Sequence, residues 1–237
     1  MSTRAKKNLH REKSPYSEKK SQIGQGKKKK SSVESGSFRI IGGLWRSRRL
    51  SFPAIEGLRP TTDRVRETVF NWLNAEIHGA HVLDVFSGSG ALGLEALSRG
   101  AASLLAIEKD KQAAKALQVN IELLASDSKS AKPILVQHAD ALSFLENLKT
   151  TTGVCHDDKT SAEFGAFDLV FLDPPFRKGL LEETLRLLDG HPCIQKGALI
   201  YVEREKEMSS INLPHNWTLL KEKVAGQVSY QLFRVTE

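Results

Sequence analysis

Between His81 and Tyr201, short and nearly all-apolar runs alternate with longer stretches of helical periodicity. That alternation constrains the fold more tightly than any other feature of the chain. Strands are expected at 81–86, 103–108, 133–138, 167–172 and 197–203, and helices at 90–99, 110–124, 140–149 and 178–189. A run such as FDLVFLD has no polar face, so a strand built from it must be covered on both sides. Helices between such runs supply that cover and force parallel strands joined by crossovers. The expectation is an α/β, Rossmann-like fold. Two later segments, 217–224 and 227–235, flank Ala225-Gly226 and predict an antiparallel hairpin closing the sheet.

The chain before this unit reads differently. Residues 38–60 are extended, with apolar runs broken by Gly42-Gly43, a hairpin-type turn signal. Pro53 and Pro60 break any helix nearby, and Thr61 or Thr62 can cap a helix running to about Ile77. Val65, Val69, Trp72 and Leu73 fall on one face of it, with Arg64, Arg66 and Glu67 off that stripe. Residues 150–165 are polar and irregular and predict a loop inserted before the fourth strand.

Charge is unevenly placed. The net +7 of the 237 residues sits in positions 1–36, where eleven Lys/Arg face three Glu; the remainder is nearly balanced. Segment 1–36 is Lys-, Ser-, Gly- and Gln-rich, too poor in aliphatics to offset its ordering entropy, and is read as a disordered basic tail. Residues 37–66 hold seven arginines against Glu56 and Asp63, which suits a polyanionic partner. No stretch is long and apolar enough to span a membrane, and the first 30 residues lack a secretory apolar core. Cys155 and Cys193 show no metal-type spacing and are expected as free thiols in a reducing, cytoplasmic compartment. The histidines are scattered, so no metal site is expected.

Residues 82–93, VLDVFSGSGALG, place Asp84 at a strand end, then a glycine loop, then a helix start. Gly88 and Gly90 permit positive φ and close ligand approach, and the helix N-terminus offers unpaired N–H groups. Glu108 ends the next strand, where a carboxylate can grip ribose hydroxyls. The GxGxxG spacing of Gly88, Gly90 and Gly93 also admits NAD. Two features favour S-adenosylmethionine: Asp84 stands where it could meet a methionine ammonium group, and Asp140, after the third strand, could accept from an adenine amino group or cap a helix.

The fourth strand ends in Asp173-Pro174-Pro175-Phe176. Successive prolines fix φ and remove two N–H donors, leaving the carbonyls of Asp173 and Pro174 and the Asp173 carboxylate as an acceptor-only cluster at the ligand-binding end of the sheet. Such a cluster suits an exocyclic amine. Its lone pair is delocalised into the ring, and hydrogen bonds from its N–H groups favour the pyramidal, nucleophilic nitrogen. Phe176 would stack on the base and hold it in line.

These motifs resemble those of amino-methyltransferases, and more closely the bacterial 16S rRNA (guanine-N2)-methyltransferase family of RsmD type. RIIGGLWRSRRL, GLRPTTDRVRETVFNWL, LDVFSGSGALGLEALSRGA and FLDPPF match that family in order and spacing across 38–237. The resemblance implies a seven-stranded, mostly parallel sheet with an N-terminal β-hairpin, S-adenosylmethionine as methyl donor, and transfer to guanine N2 in small-subunit ribosomal RNA. It implies a cofactor site of Asp84, Phe86, Gly88, Gly90, Glu108 and Asp140, with Thr61, Asp63 and Arg64 beside the cofactor, and catalysis at Asp173, Pro174, Pro175 and Phe176. The implied organisation is a tail (1–36), an RNA-facing hairpin and helix (37–78) and a methyltransferase domain (79–237). Ser47 and Ser87 depart from the family's commoner Gly and Ala.

Trp45, Arg46, Arg48 and Arg49, with Arg39 and Arg59, are the expected nucleic-acid contacts, a stacking ring among phosphate-binding guanidinium groups; the alternative packs Trp45 between hairpin and body and pairs some of the arginines with Glu56 or Glu67. Ribosomal RNA or the 30S particle is the expected partner of a monomeric enzyme. A DNA adenine-N6 methyltransferase shares the catalytic logic but would usually carry a larger target-recognition region. A non-catalytic RNA-binding assembly factor would not need Asp173.

Overall fold

A computed structural model describes residues 35–55, 58, 61–126, 132–151, 154–157, 163–208 and 211–236. The expected disorder of residues 1–34 and the assignment of Arg59 lie outside these residues, whereas Ser35 and Gly36, read as the end of the disordered tail, belong to the first strand, where Ser35 and Gly36 pair with Pro53 and Phe52. Strands β1 (Ser35–Arg39) and β2 (Arg49–Pro53) pair antiparallel, with Ser35 opposite Pro53 and Arg39 opposite Arg49. Helix α1 (Asp63–Trp72) follows, capped by the Thr62 hydroxyl accepting from Val65 N. It stops five residues before the expected end. Leu73–Ile77 then form one separate turn, in which Ile77 N donates to Leu73 O.

The body alternates β3 (His81–Asp84), α2 (Ala91–Ser98), β4 (Ser103–Glu108), α3 (Lys111–Ala125), β5 (Ile134–His138) and α4 (Ala141–Asn147). After a small insertion come β9 (Phe167–Leu172), α5 (Leu180–Leu188), β10 (Ile194–Glu205), β11 (Trp217–Ala225) and β12 (Val228–Val235). Seven strands form one sheet in the order β11-β12-β10-β9-β3-β4-β5. β5, β4, β3, β9 and β10 run parallel, and β12 is antiparallel to both its neighbours. Period-2 alternation sends neighbouring apolar residues to opposite faces. Val82, Leu104, Ala106 and Phe171 join the hairpin, α1, α2 and α3 in one core. Leu83, Leu105, Ile107 and Leu172 join α4 and α5 in the other. No helix among the described residues is long and apolar enough to cross a membrane.

Two expectations need correction here. The segment expected as an irregular loop carries β6 (Leu148–Thr151), β7 (Val154–Asp157) and β8 (Glu163–Gly165), a three-stranded antiparallel sheet. Its sequence lacks hydrophobic alternation, so the periodicity that marks half-buried strands is missing. Cys155 on β7 and Cys193 are not free thiols: they form a disulfide, buried, with Cα atoms 5.6 Å apart. A separation of 38 residues along the chain carries no information about this approach in space.

The loop between β1 and β2 is latched to α2. Ile41 N and Gly42 N donate to the Glu95 carboxylate at 2.7 and 2.8 Å. Leu44 N donates to Ser98 O, and Trp45 N to Ser98 Oγ at 2.9 Å. Gly43 lies at φ +76, and a Cβ there would sit 1.9 Å from Ser98 O, so only glycine allows this contact. Ser47, where the family commonly has Gly, also lies in the left-handed region at φ 69.

Candidate active site

Four acidic residues mark the carboxyl ends of adjacent parallel strands: Asp84 at β3, Glu108 at β4, Asp140 after β5 and Asp173 after β9. From Asp84 the chain enters the glycine loop. Val85 N donates to Phe171 O and Ser87 N to Ile107 O, so the loop is hung between the two flanking strands. Gly88 and Gly90 adopt φ +53 and +80. A Cβ on Gly88 would meet Leu58 at 2.8 Å, and one on Gly90 would meet Leu117 at 2.3 Å. The loop is therefore bare backbone, with residue 58 lying over it.

Glu108 accepts from Gly88 N at 2.8 Å and from Asp110 N at 2.6 Å, one bond to each oxygen. Each oxygen keeps a second lone pair, enough for a vicinal diol. Burial raises the Glu108 carboxyl above its usual range against these N–H bonds. Asp84 is more deeply placed. Burial pushes its carboxyl up to about 7, the Gly93 N–H at 3.2 Å opposes this, and Glu108 adds repulsion. A buried acceptor with no cation beside it among the described ion pairs fits a ligand carrying an ammonium or sulfonium charge. Phe86 is partly buried, packed against the α4/α5 core. Asp140 caps α4 through Ser143 N and pairs with Lys109 at 3.0 Å, which lowers its pKa. The capping role weighed for it is present, and its second oxygen faces Lys109. The donors and acceptors of this strand-end row suit an adenosine bearing an amino acid chain.

Beside the loop, Pro174 is buried, Pro175 is exposed and Phe176 is 40% exposed, its ring available at the mouth of a cavity. Asp173 lies behind them and accepts from the Thr61 hydroxyl at 3.3 Å. Burial raises its pKa well above the usual carboxylate range, and the nearby carboxylates of Glu203 and Asp84 raise it further.

The family model described as conserved hypothetical protein 95 matches residues 38–234. Ribosomal RNA small subunit methyltransferase D of Escherichia coli (strain K12) is 47% identical over 207 residues, covering 87% of this chain and 94% of that protein. The chain belongs to this methyltransferase family. The methyltransferase D of Haemophilus influenzae is 46% identical, over 84% of this chain and 94% of that one. Among solved structures, the yhhF protein from Escherichia coli matches with a TM-score of 0.72 at 45% identity, over 85% of this chain and 99% of that chain. A Haemophilus influenzae structure matches with a TM-score of 0.67 at 42% identity, over 85% and 100%.

Within the methyltransferase family's RPTxDRVRE segment, the structure separates residues that the sequence groups. Thr61 reaches Asp173. Asp63 is committed to Arg66 at 2.7 Å and Arg39 at 3.4 Å, and Arg64 is exposed. Arg66, read as lying off the buried stripe, is fully buried. It donates to the carbonyls of Thr61 and Arg39, faces Glu95 at 3.5 Å and covers the Phe38 ring. The hairpin, packed over α1, turns that helix face from surface into interior.

Trp45 requires the opposite correction. It is 6% exposed and belongs to the hairpin–α2 core, so its ring is no stacking platform. Arg46, Arg48 and Arg49 are exposed around it, and Arg39 is half-exposed beside Asp63. Their loop docks at the C-terminal end of α2, about 12 Å from the glycine loop at 1.5 Å per helical residue. Two residues that sequence reasoning missed are Tyr201 and Glu203, on β10 beside Asp173. The signal was a carboxylate in an otherwise apolar strand, ALIYVE, in the segment after the one ending in Asp173.

Proposed function

We propose that this enzyme takes a methyl group from S-adenosylmethionine and delivers it to the exocyclic N2 of a guanine in small-subunit ribosomal RNA. One observation supports the reading: the Asp173 carboxylate, with the exposed Phe176 three residues on, follows β9 directly beside β3, whose end carries Asp84 and the glycine loop. The names of the curated relatives support the RNA class, since they are small-subunit ribosomal RNA methyltransferases. The guanine target rests on the family resemblance.

Asp84, Gly88, Glu108 and Asp140 would hold the donor, whose sulfonium supplies an already activated methyl carbon. The chain's residues then orient the acceptor. Phe176 stacks on the base, and Asp173 with the Pro174 carbonyl accepts from the two N2–H groups, directing the nitrogen lone pair at the carbon. When bound, the donor would supply the methyl carbon and its sulfur would take the electron pair of the C–S bond, leaving N2 with a proton to lose. One N2 proton passes to Asp173, whose raised pKa matches that task. Residues 37–78 form the RNA-facing extension, with Arg39, Arg46, Arg48 and Arg49 as phosphate contacts, and the substrate is the RNA or the 30S particle.

The test is to incubate the protein with labelled donor and unmethylated small subunits, then identify modified nucleosides by mass spectrometry. N2-methylguanosine is expected. Asp173→Ala should lower turnover about 100-fold or more while retaining donor binding. N6-methyladenosine would favour the adenine alternative, and donor binding without transfer would favour the assembly factor.

A further inference from the structure

Asp173 has a carboxylate neighbour that the mechanism above leaves unused. Val202 of β10 sits opposite Leu172 of β9 in parallel register, so Asp173, just past the end of β9, comes beside Glu203, which is still within β10 and opposite Tyr230 of β12. The Thr61 hydroxyl donates to Asp173 Oδ2 at 3.3 Å and lies near enough to Glu203 to hold its pKa down. Glu203 is 5% exposed and is among the residues that line a cavity with Pro174, Pro175 and Phe176. The Tyr201 hydroxyl donates to Glu203 Oε1 at 2.7 Å, fixing one oxygen and leaving Oε2 as an acceptor. No cation pairs with Glu203 among the described ion pairs. Burial pushes both pKa values up, and the Glu203 carboxylate adds to the rise at Asp173, while Tyr201 and Thr61 oppose it at Glu203. Each carboxyl keeps an oxygen able to accept a hydrogen bond. Packing would be better served by an apolar residue here.

We propose that Glu203 is a specificity-determining residue that accepts the ring N1–H of the target guanine, while Asp173 accepts from its 2-amino group. The inference rests on the guanine-N2 reading above. Guanine presents two adjacent donors, N1–H and N2–H, along one edge, and two adjacent carboxyls complement that edge. Adenine presents an acceptor at ring N1 beside its amine, so a carboxylate there would meet a lone pair. The same pair of acidic oxygens thus reads the base and receives the proton.

The experiment has two stages. The nucleotide methylated by the wild type is mapped and its product identified; any product other than N2-methylguanosine removes the guanine-N2 reading itself. Small subunits are then reconstituted with guanine or 2-aminopurine at the mapped position. 2-Aminopurine keeps the 2-amino group and has no N1–H. Wild type should prefer guanine in kcat/KM by about 100-fold. Glu203→Gln, whose amide can either accept or donate, should bring the two substrates within about threefold, with S-adenosylmethionine affinity unchanged. If E203Q retains the wild-type preference, whatever its rate, the proposal is overturned. Should E203Q fail to bind the donor, Tyr201→Phe is measured instead. Freeing the carboxylate should lower the guanine preference at least about threefold, and an unchanged preference there also overturns the proposal.

Discussion

Single side chains here owe their roles to what the fold places around them. Arg66 looks like a surface residue of an amphipathic helix, yet it is buried and holds the carbonyls of Thr61 and Arg39 together with Asp63. Through Thr61 it positions the hydroxyl that faces Asp173. Asp84 is simpler to predict from. Burial brings its carboxyl to about pH 7 in the free protein, and a bound cation favours the ionised form. Affinity for S-adenosylmethionine should therefore be fully developed above pH 7 and weaken as pH falls through 7. Calorimetric titration should show a dissociation constant roughly eightfold higher at pH 6 than at pH 7.5. Asp84→Asn should bind more weakly with this slope removed; a wild-type slope surviving in that variant would assign the titration to another group.

At the scale of elements, most of the parallel sheet was legible because its strands are continuous apolar runs, and β4 and β9 fall on the expected residues. The terminal hairpin was legible because Gly226, at φ +62, marks the turn of β11 and β12. β6 to β8 were not, because pairing between polar strands leaves no periodic trace. The β1–β2 hairpin was foreseen, but the sequence left open whether Trp45 on its loop stacks on RNA or packs against the body. Glu95 and Ser98 of α2 bind its backbone, which buries Trp45 and leaves the arginines as the exposed groups. Neutralising Arg46, Arg48 and Arg49 together should lower the slope of log K for RNA against log salt by about 2 to 3, with donor binding unaffected. Filter binding at four salt concentrations checks this, and an unaltered slope would mean that RNA approaches elsewhere. Trp45→Ala should instead cost stability, by about 3 kcal/mol or more.

Across the whole molecule, the glycine loop, Glu108 and Asp140 join the ends of β3, β4 and β5, and the proposed catalytic residues follow β9 next to them. A ligand gripping that row stabilises the sheet from its open end. At about 100 times its dissociation constant, S-adenosylmethionine should add about 2.7 kcal/mol. For a domain of this size that corresponds to a rise in Tm of roughly 5–10 °C, while NAD at the same concentration should give none. Equal shifts from both ligands would return the glycine loop to a dinucleotide reading. The order of strands and helices, the glycine loop and the Asp-Pro-Pro-Phe turn were determined by sequence alone, because hydrophobic period, turn chemistry and missing N–H donors act over a few neighbouring residues. The burial of Arg66 and Trp45, the Cys155–Cys193 pairing and the placing of Glu203 beside Asp173 were decided only by tertiary structure. Each depends on residues far apart in the chain meeting across a packed interface, and no local pattern records that meeting.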